Sequence, residues 1–229
     1  MKLSAHASLQ NFAFWALHRY YNITVVGREN VPVNGRLIIA ANHTALMDGP
    51  LLLSIGARPL HVLSKFELFK GPAGIILKAG GAVPIEWQSP DRDSLQYAKQ
   101  RLLVDEAVAL FPEGTRSQGT FDWLRDGVVY LVAHTAADIV PVAILGSRLT
   151  GQSRSKITPK RQPITIVIGP AINPIQFIPS TFAPTSRADL KIAGEKLRQL
   201  LSQHVQNAAT STGAPLPEDD VSIPGEGAQ

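Results

Sequence analysis

Apolar positions along this chain come in two kinds of block. Continuous runs of four to six residues, such as Leu37-Ile38-Ile39-Ala40-Ala41, Ala107-Val108-Ala109-Leu110-Phe111 and Ile139-Val140-Pro141-Val142-Ala143-Ile144, read as strands buried on both faces. Residues 23–26, 61–64 and 164–168 add three more. Ala82-Val83-Pro84-Ile85 is a further extended piece, and its proline marks an edge or an end of that strand. Between these runs the spacing changes to that of helices. Leu95, Ala98 and Leu102 share one face of a helix over 91–104, with Asp91 or Asp93 placed to cap it. Further helices are predicted over 7–21, 47–55, from Gly71 to about Gly80, over 126–136 and over 186–205, the last with Leu190, Ala193, Leu197 and Leu200 inward. Strands alternating with helices predict an α/β domain with a mostly parallel central sheet flanked by helices. The expected organisation is an N-terminal interface helix over 1–22, the main α/β domain over 23–206 and a disordered acidic tail over 207–229.

Composition adds limits. The 229 residues are 45% hydrophobic and 17% charged, enough apolar material for one sizeable core. No apolar run reaches the ~18 residues of a spanning helix, and the N-terminal segment lacks the pattern of a secretory signal. A protein on the cytosolic side of a membrane is therefore expected. The absence of cysteine excludes disulfides, zinc–cysteine sites, iron–sulfur clusters and cysteine nucleophiles. The net charge of +4 hides an uneven distribution. The last 22 residues contain Glu218, Asp219, Asp220 and Glu226 and no base, whereas 140–188 contains no acid and carries Arg148, Arg154, Lys156, Lys160, Arg161 and Arg187. One-signed stretches of this kind attract anions such as phospholipid headgroups or coenzyme A phosphates; a merely solvated loop would look the same. Phe12, Phe14, Trp15, Tyr20 and Tyr21 crowd the first helix, consistent with core packing and with an exposed edge against lipid.

The chemistry concentrates beyond two strand ends, where parallel sheets bind ligands. Asn42-His43-Thr44-Ala45-Leu46-Met47-Asp48 follows the first long apolar run, and Phe111-Pro112-Glu113-Gly114-Thr115-Arg116-Ser117 follows the second. On one helix, His43 and Asp48 would sit about 140° apart. They meet only if His43 lies in the turn before the helix and Asp48 in its first turn. The carboxylate would then fix one imidazole nitrogen and leave the other as a base. Taken alone, most such pairs are structural, capping a helix or filling a polar gap. In the second segment Gly114 allows a tight turn, and Arg116 offers a bidentate grip on phosphate. Glu113 would hold Arg116 or bond an acceptor hydroxyl. Thr115 and backbone N–H groups would complete an anion site. The competing reading is an ordinary β-turn with a surface ion pair.

These two segments resemble the first and third motifs of the glycerolipid acyltransferases, the 1-acyl-sn-glycerol-3-phosphate (lysophosphatidate) acyltransferase family. The first motif, Asn-His followed by four residues and Asp, is matched by Asn42, His43 and Asp48, and the third by Phe111 through Ser117. The resemblance extends from about Val26 to Pro170 and includes 64–69, 124–127 and 140–146. It implies direct acyl transfer from acyl-CoA or an acyl carrier protein to a lysophospholipid hydroxyl, with no acyl-enzyme, metal or cofactor. His43 would be the general base and Asp48 its orienter. Glu113, Gly114, Thr115, Arg116 and Lys65 would bind the acceptor, a hydrophobic tunnel would take the acyl chain, and an anionic membrane surface would be a partner. One departure stands out. The family's second motif ends in Arg, whereas Gly81-Ala82-Val83-Pro84-Ile85-Glu86 leads here to Trp87. Either Arg92 reaches back, or the acceptor differs from lysophosphatidate. The rivals are a non-catalytic lipid-binding relative and a thioester hydrolase. No Gly-x-Ser-x-Gly elbow or His-Glu-x-x-His site is present, and the basic segment lacks the interleaved aromatics of a nucleic-acid binder.

Overall fold

Among the described residues a seven-stranded sheet organises the chain, its strands lying side by side in the order 22–26, 163–168, 138–145, 37–41, 107–110, 60–65 and 83–85. The computed structural model describes residues 2–55, 58–65, 70, 82–85, 92–178 and 186–219. The strands are β1 (Asn22–Val26), β2 (Leu37–Ala41), β3 (Leu60–Lys65), β4 (Val83–Ile85), β5 (Ala107–Leu110), β6 (Asp138–Leu145) and β7 (Pro163–Ile168). All neighbours pair in parallel except β6 and β7. The mostly parallel α/β sheet read from the sequence is therefore present. Pro84 lies in β4, at the sheet edge, where a missing N–H costs least. The helix expected after Gly71 and the segment around Trp87 lie outside the described residues.

Strand alternation sends each apolar run to two cores. Ile38, Ala40, Val108, Leu110, Ile139 and Ala143 meet α3 (Arg92–Leu103), α4 (Asp126–Thr135) and α5 (Arg187–Thr212) on one face, through Leu102, Val128, Val132, Leu197 and Leu201. Leu37, Ile39, Ala109, Val140, Val142 and Ile166 form the other core with Leu51 and Leu52 of α2 (Asp48–Leu52), Ile55 and Tyr21, and Leu17 of α1 (Lys2–Tyr20) packs against it. Every residue of β2 and β5 is buried, which explains why these runs are apolar at each position.

The antiparallel pairing of β7 with β6 brings the amino-terminal ends of β7 and β1 to the edge where β2, β5, β3 and β6 finish. That brings the end of α1 and the basic loop after β6 together: Arg161 N–H donates to Tyr20 O at 2.9 Å. The C-terminal part departs from the sequence reading. The last helix starts at a Ser186 cap and runs through Thr212, past its expected end at 205, until Gly213 ends it at φ +67°. Residues 214–219 then fold back over the loop after β6. Gly151 N–H donates to Glu218 O at 3.2 Å, Glu218 N–H donates to Thr150 Oγ1 at 3.2 Å, and Asp219 pairs with Arg148 and Arg154. Acidic composition suggested disorder here; opposite charge on the neighbouring loop overrides it.

Candidate active site

The turn after β2 is held to the sheet by a side chain. Buried Asn42 accepts from Ile144 N–H at 2.7 Å and donates to Ile144 O at 3.1 Å, continuing the ladder to β6 by one residue. The chain then leaves the sheet at His43 and enters α2 at Asp48. One carboxylate oxygen, Asp48 Oδ2, accepts from Thr44 N–H at 2.6 Å and Ala45 N–H at 2.7 Å, and lies 3.0 Å from His43 Nδ1. An ionised carboxylate only accepts, so this network assigns the proton to Nδ1 and leaves the Nε2 lone pair for other work. Asp48 is completely buried, whereas the His43 side chain retains 18% of its surface. The imidazole also stacks on Phe111, with centroids 4.1 Å apart and planes at 17°. Two contacts thus fix the ring from different sides.

The second segment is bolted to the first. Glu113 is fully buried; it accepts from His43 N–H at 3.3 Å and from the Ser117 hydroxyl. Ser117 N–H in turn donates to His43 O at 2.8 Å. Gly114 turns the chain at φ +73°, a conformation that side chains resist, and its N–H closes onto Phe111 O at 2.9 Å. Gly119, at φ +77°, brings the loop so near that an added Cβ would lie 2.6 Å from Thr44 Cγ2. Burial raises the Glu113 carboxyl to about 7, opposed by the bonds from Ser117 and His43; the nearby Asp122 charge adds to the rise. Trp123 Nε1–H donates to Glu113 O at 2.7 Å and steadies the same turn.

Arginines surround the outer part of this loop. Arg116 donates from Nη1 to Arg154 O at 2.7 Å and to Ser155 Oγ at 3.3 Å. Arg154 returns a bond to Arg116 O at 2.9 Å, and buried Arg148 donates to Ser117 O at 3.0 Å. Thr115 is exposed between them. An imidazole with a free Nε2 beside a cationic loop can take a proton from a hydroxyl whose own molecule carries a phosphate.

His43, Asp48, Glu113, Gly114, Thr115 and Arg116 therefore come to one edge of the sheet. Their dispositions differ from the sequence reading in one respect. Glu113 faces inward and braces His43 and Ser117, neither gripping Arg116 nor meeting solvent, because its two oxygens already serve neighbouring donors. The backbone of Lys65 ends β3 at this edge; its side chain, and that of Arg92, lie outside the described residues, as do Glu86 and Trp87. Sequence reasoning named Asn42 and Ser117 as motif residues and Arg148 as one base of the 140–188 stretch, but gave no role to Asn42 as a strut, to Ser117 as the link between motifs, or to Arg148 as a support of the loop. A groove of about 220 Å³ lined by Gln10, Leu53, Arg58 and Leu60 sits at the amino-terminal end of β3, away from this edge, and does not extend the site.

Comparison with known proteins gives a consistent picture. The family model described as Acyltransferase matches residues 22–145. A 1-acyl-sn-glycerol-3-phosphate acyltransferase of Bacillus subtilis is 28% identical over 158 residues, covering 68% of this chain and 76% of its own. One from Chlamydomonas reinhardtii is 30% identical over 164 residues, covering 68% of this chain and 48% of that protein. The crystal structure of the 1-acyl-sn-glycerophosphate acyltransferase PlsC from Thermotoga maritima matches at a TM-score of 0.65 and 24% identity, over 93% of this chain and 80% of that one; this likeness speaks for the fold.

Proposed function

We propose that this chain, which belongs to the acyltransferase family, moves a fatty acyl group from an acyl thioester to the free hydroxyl of a lysophosphatidate-class glycerophospholipid. The observation that carries the reading is the Asp48–His43 pair, whose imidazole stacks on Phe111 of the third motif and whose backbone is tied to Glu113 and Ser117. His43 Nε2 takes the acceptor's hydroxyl proton as its oxygen attacks the thioester carbonyl. The tetrahedral intermediate then collapses with cleavage of the carbon–sulfur bond. The imidazolium returns the proton to the departing thiolate, giving an ester and a free thiol. Asp48 stabilises the transient imidazolium, as the carboxylate does in a serine hydrolase triad. Here the substrate's hydroxyl takes the place of the serine. Thr115, Arg116 and Lys65 bind the acceptor phosphate, with Gly114 giving the backbone room to approach; Glu113 holds the loop from behind. Formation of a diacyl product from acyl-CoA and lysophosphatidate by the purified chain tests this assignment.

The same reading places the chain on a membrane surface. Among the described residues no helix is long and apolar enough to cross a membrane. Phe12 and Trp15 are 61% and 62% exposed on α1, and Tyr20 at its end and Leu149 and Ile157 in the loop after β6 are exposed. Lys160 lies over the Tyr20 ring at 6.0 Å, so the basic loop and the aromatic helix end form one patch. Aromatic and basic groups together suit the interface of an anionic bilayer, from which both lipid substrates would come.

A further inference from the structure

The acidic C-terminal segment reaches the site through two arginines. Asp219 Oδ1 is 2.8 Å from Arg148 Nη1, and its Oδ2 is 2.5 Å from Arg154 Nη2. Each guanidinium spends its other terminal nitrogen on the same loop: Arg148 Nη2 donates to Ser117 O, and Arg154 Nη1 to Arg116 O. A guanidinium is a rigid planar fork, so fixing one tine fixes the other. One carboxylate thus sets the place of two consecutive loop carbonyls. Ser117 N–H continues the connection to His43 O. The side chain of Arg148 is only 2% exposed, and Asp219 is the one carboxylate with which it forms an ion pair among the described residues. Without that partner a buried cation would be uncompensated and would pull on whatever acceptors remain.

We propose that Asp219 is a positioning residue that holds the 113–117 loop in register for the acceptor phosphate, by way of Arg148 and Arg154. The inference rests on the acyl-transfer reading for its kinetic consequence, but not for its structural one. A carboxylate between two arginines could also act as an occluder, filling the place of a substrate anion. That alternative predicts the opposite sign, because removing an occluder would raise activity.

The test uses the full chain with Asp219→Asn and Asp219→Glu. Positioning predicts that Asp219→Asn raises the KM for lysophosphatidate roughly fivefold, the scale of a half-exposed ion pair. The KM for the acyl thioester stays within about twofold, and Asp219→Glu recovers most of the loss. Amide hydrogen exchange in a peptide covering 113–119 should accelerate by a similar factor in Asp219→Asn. Exchange that does not change, an acceptor KM that is unchanged or lower, or a uniform loss of rate with both KM values intact would overturn the proposal. If the wild type makes no diacyl product while loop exchange still responds to Asp219→Asn, the acyl-transfer reading has failed and the clamp stands.

Discussion

Glu113 offers a prediction that needs no substrate. Its carboxyl is wholly buried and raised from 4.5 to about 7. A folded-state pKa above the unfolded one means that the native state holds its proton more tightly. The stabilisation is fully present below about 4.5 and is lost as pH rises through about 7. At 1.36 kcal/mol per pKa unit the whole displacement corresponds to about 3 kcal/mol, most of which falls between pH 5 and pH 8. Glu113→Gln removes the titration and keeps the shape. The amide oxygen can still accept from His43 N–H, and the amide nitrogen can donate to Ser117 Oγ, which now accepts only from Gly119 N–H at 2.8 Å. Urea unfolding of both proteins at pH 5, 6.5 and 8, followed by far-ultraviolet circular dichroism, isolates the effect, because other titrating groups cancel in the difference. The stability of wild type minus Glu113→Gln should fall by about 2 to 3 kcal/mol from pH 5 to pH 8. A difference constant within about 0.5 kcal/mol would show that Glu113 is ionised at little cost, and the buried-brace description would be wrong.

Two further outcomes are expected. Asp48→Asn should lower kcat by about 10²- to 10⁴-fold with little change in acceptor KM, since Asp48 orients the base and does not face the acceptor; steady-state kinetics showing less than a twofold fall would remove Asp48 from the mechanism. Lys156→Gln with Lys160→Gln should weaken binding to anionic vesicles by about tenfold or more and flatten its salt dependence, at about 1 kcal/mol per basic residue; co-sedimentation unaffected by salt and by these changes would leave only the aromatic part of the membrane patch.

Much of the architecture was legible because buried parallel strands leave a local mark. The runs at 37–41, 107–111 and 139–144 are apolar at nearly every position since both faces of β2, β5 and β6 are covered. The direction of β7 was not legible. Its sequence alternates, with every second residue buried, and that pattern fits either direction; pairing with β6 and β1 decides it. His43 and Asp48 could be placed from their spacing, because only a turn before a helix brings residues five apart together. The inward posture of Glu113 could not, since it depends on Ser117 and on a backbone N–H from a segment 70 residues away. The ordered part of the expected tail, 207–219, was illegible for a similar reason. Proline, glycine and acidic residues argued for disorder, and the force that orders residues 218 and 219 comes from hydrogen bonds to the loop after β6 and from arginines 65 to 71 positions earlier in the chain.

The most direct test of the central claim is thiol release from a long-chain acyl-CoA, with and without lysophosphatidate, by the wild type and by His43→Ala. Acceptor-dependent release by the wild type, with a new diacyl product, and a rate at least about 10²-fold lower in His43→Ala is the predicted result. A rate that survives in His43→Ala, or release that ignores the acceptor, would contradict it.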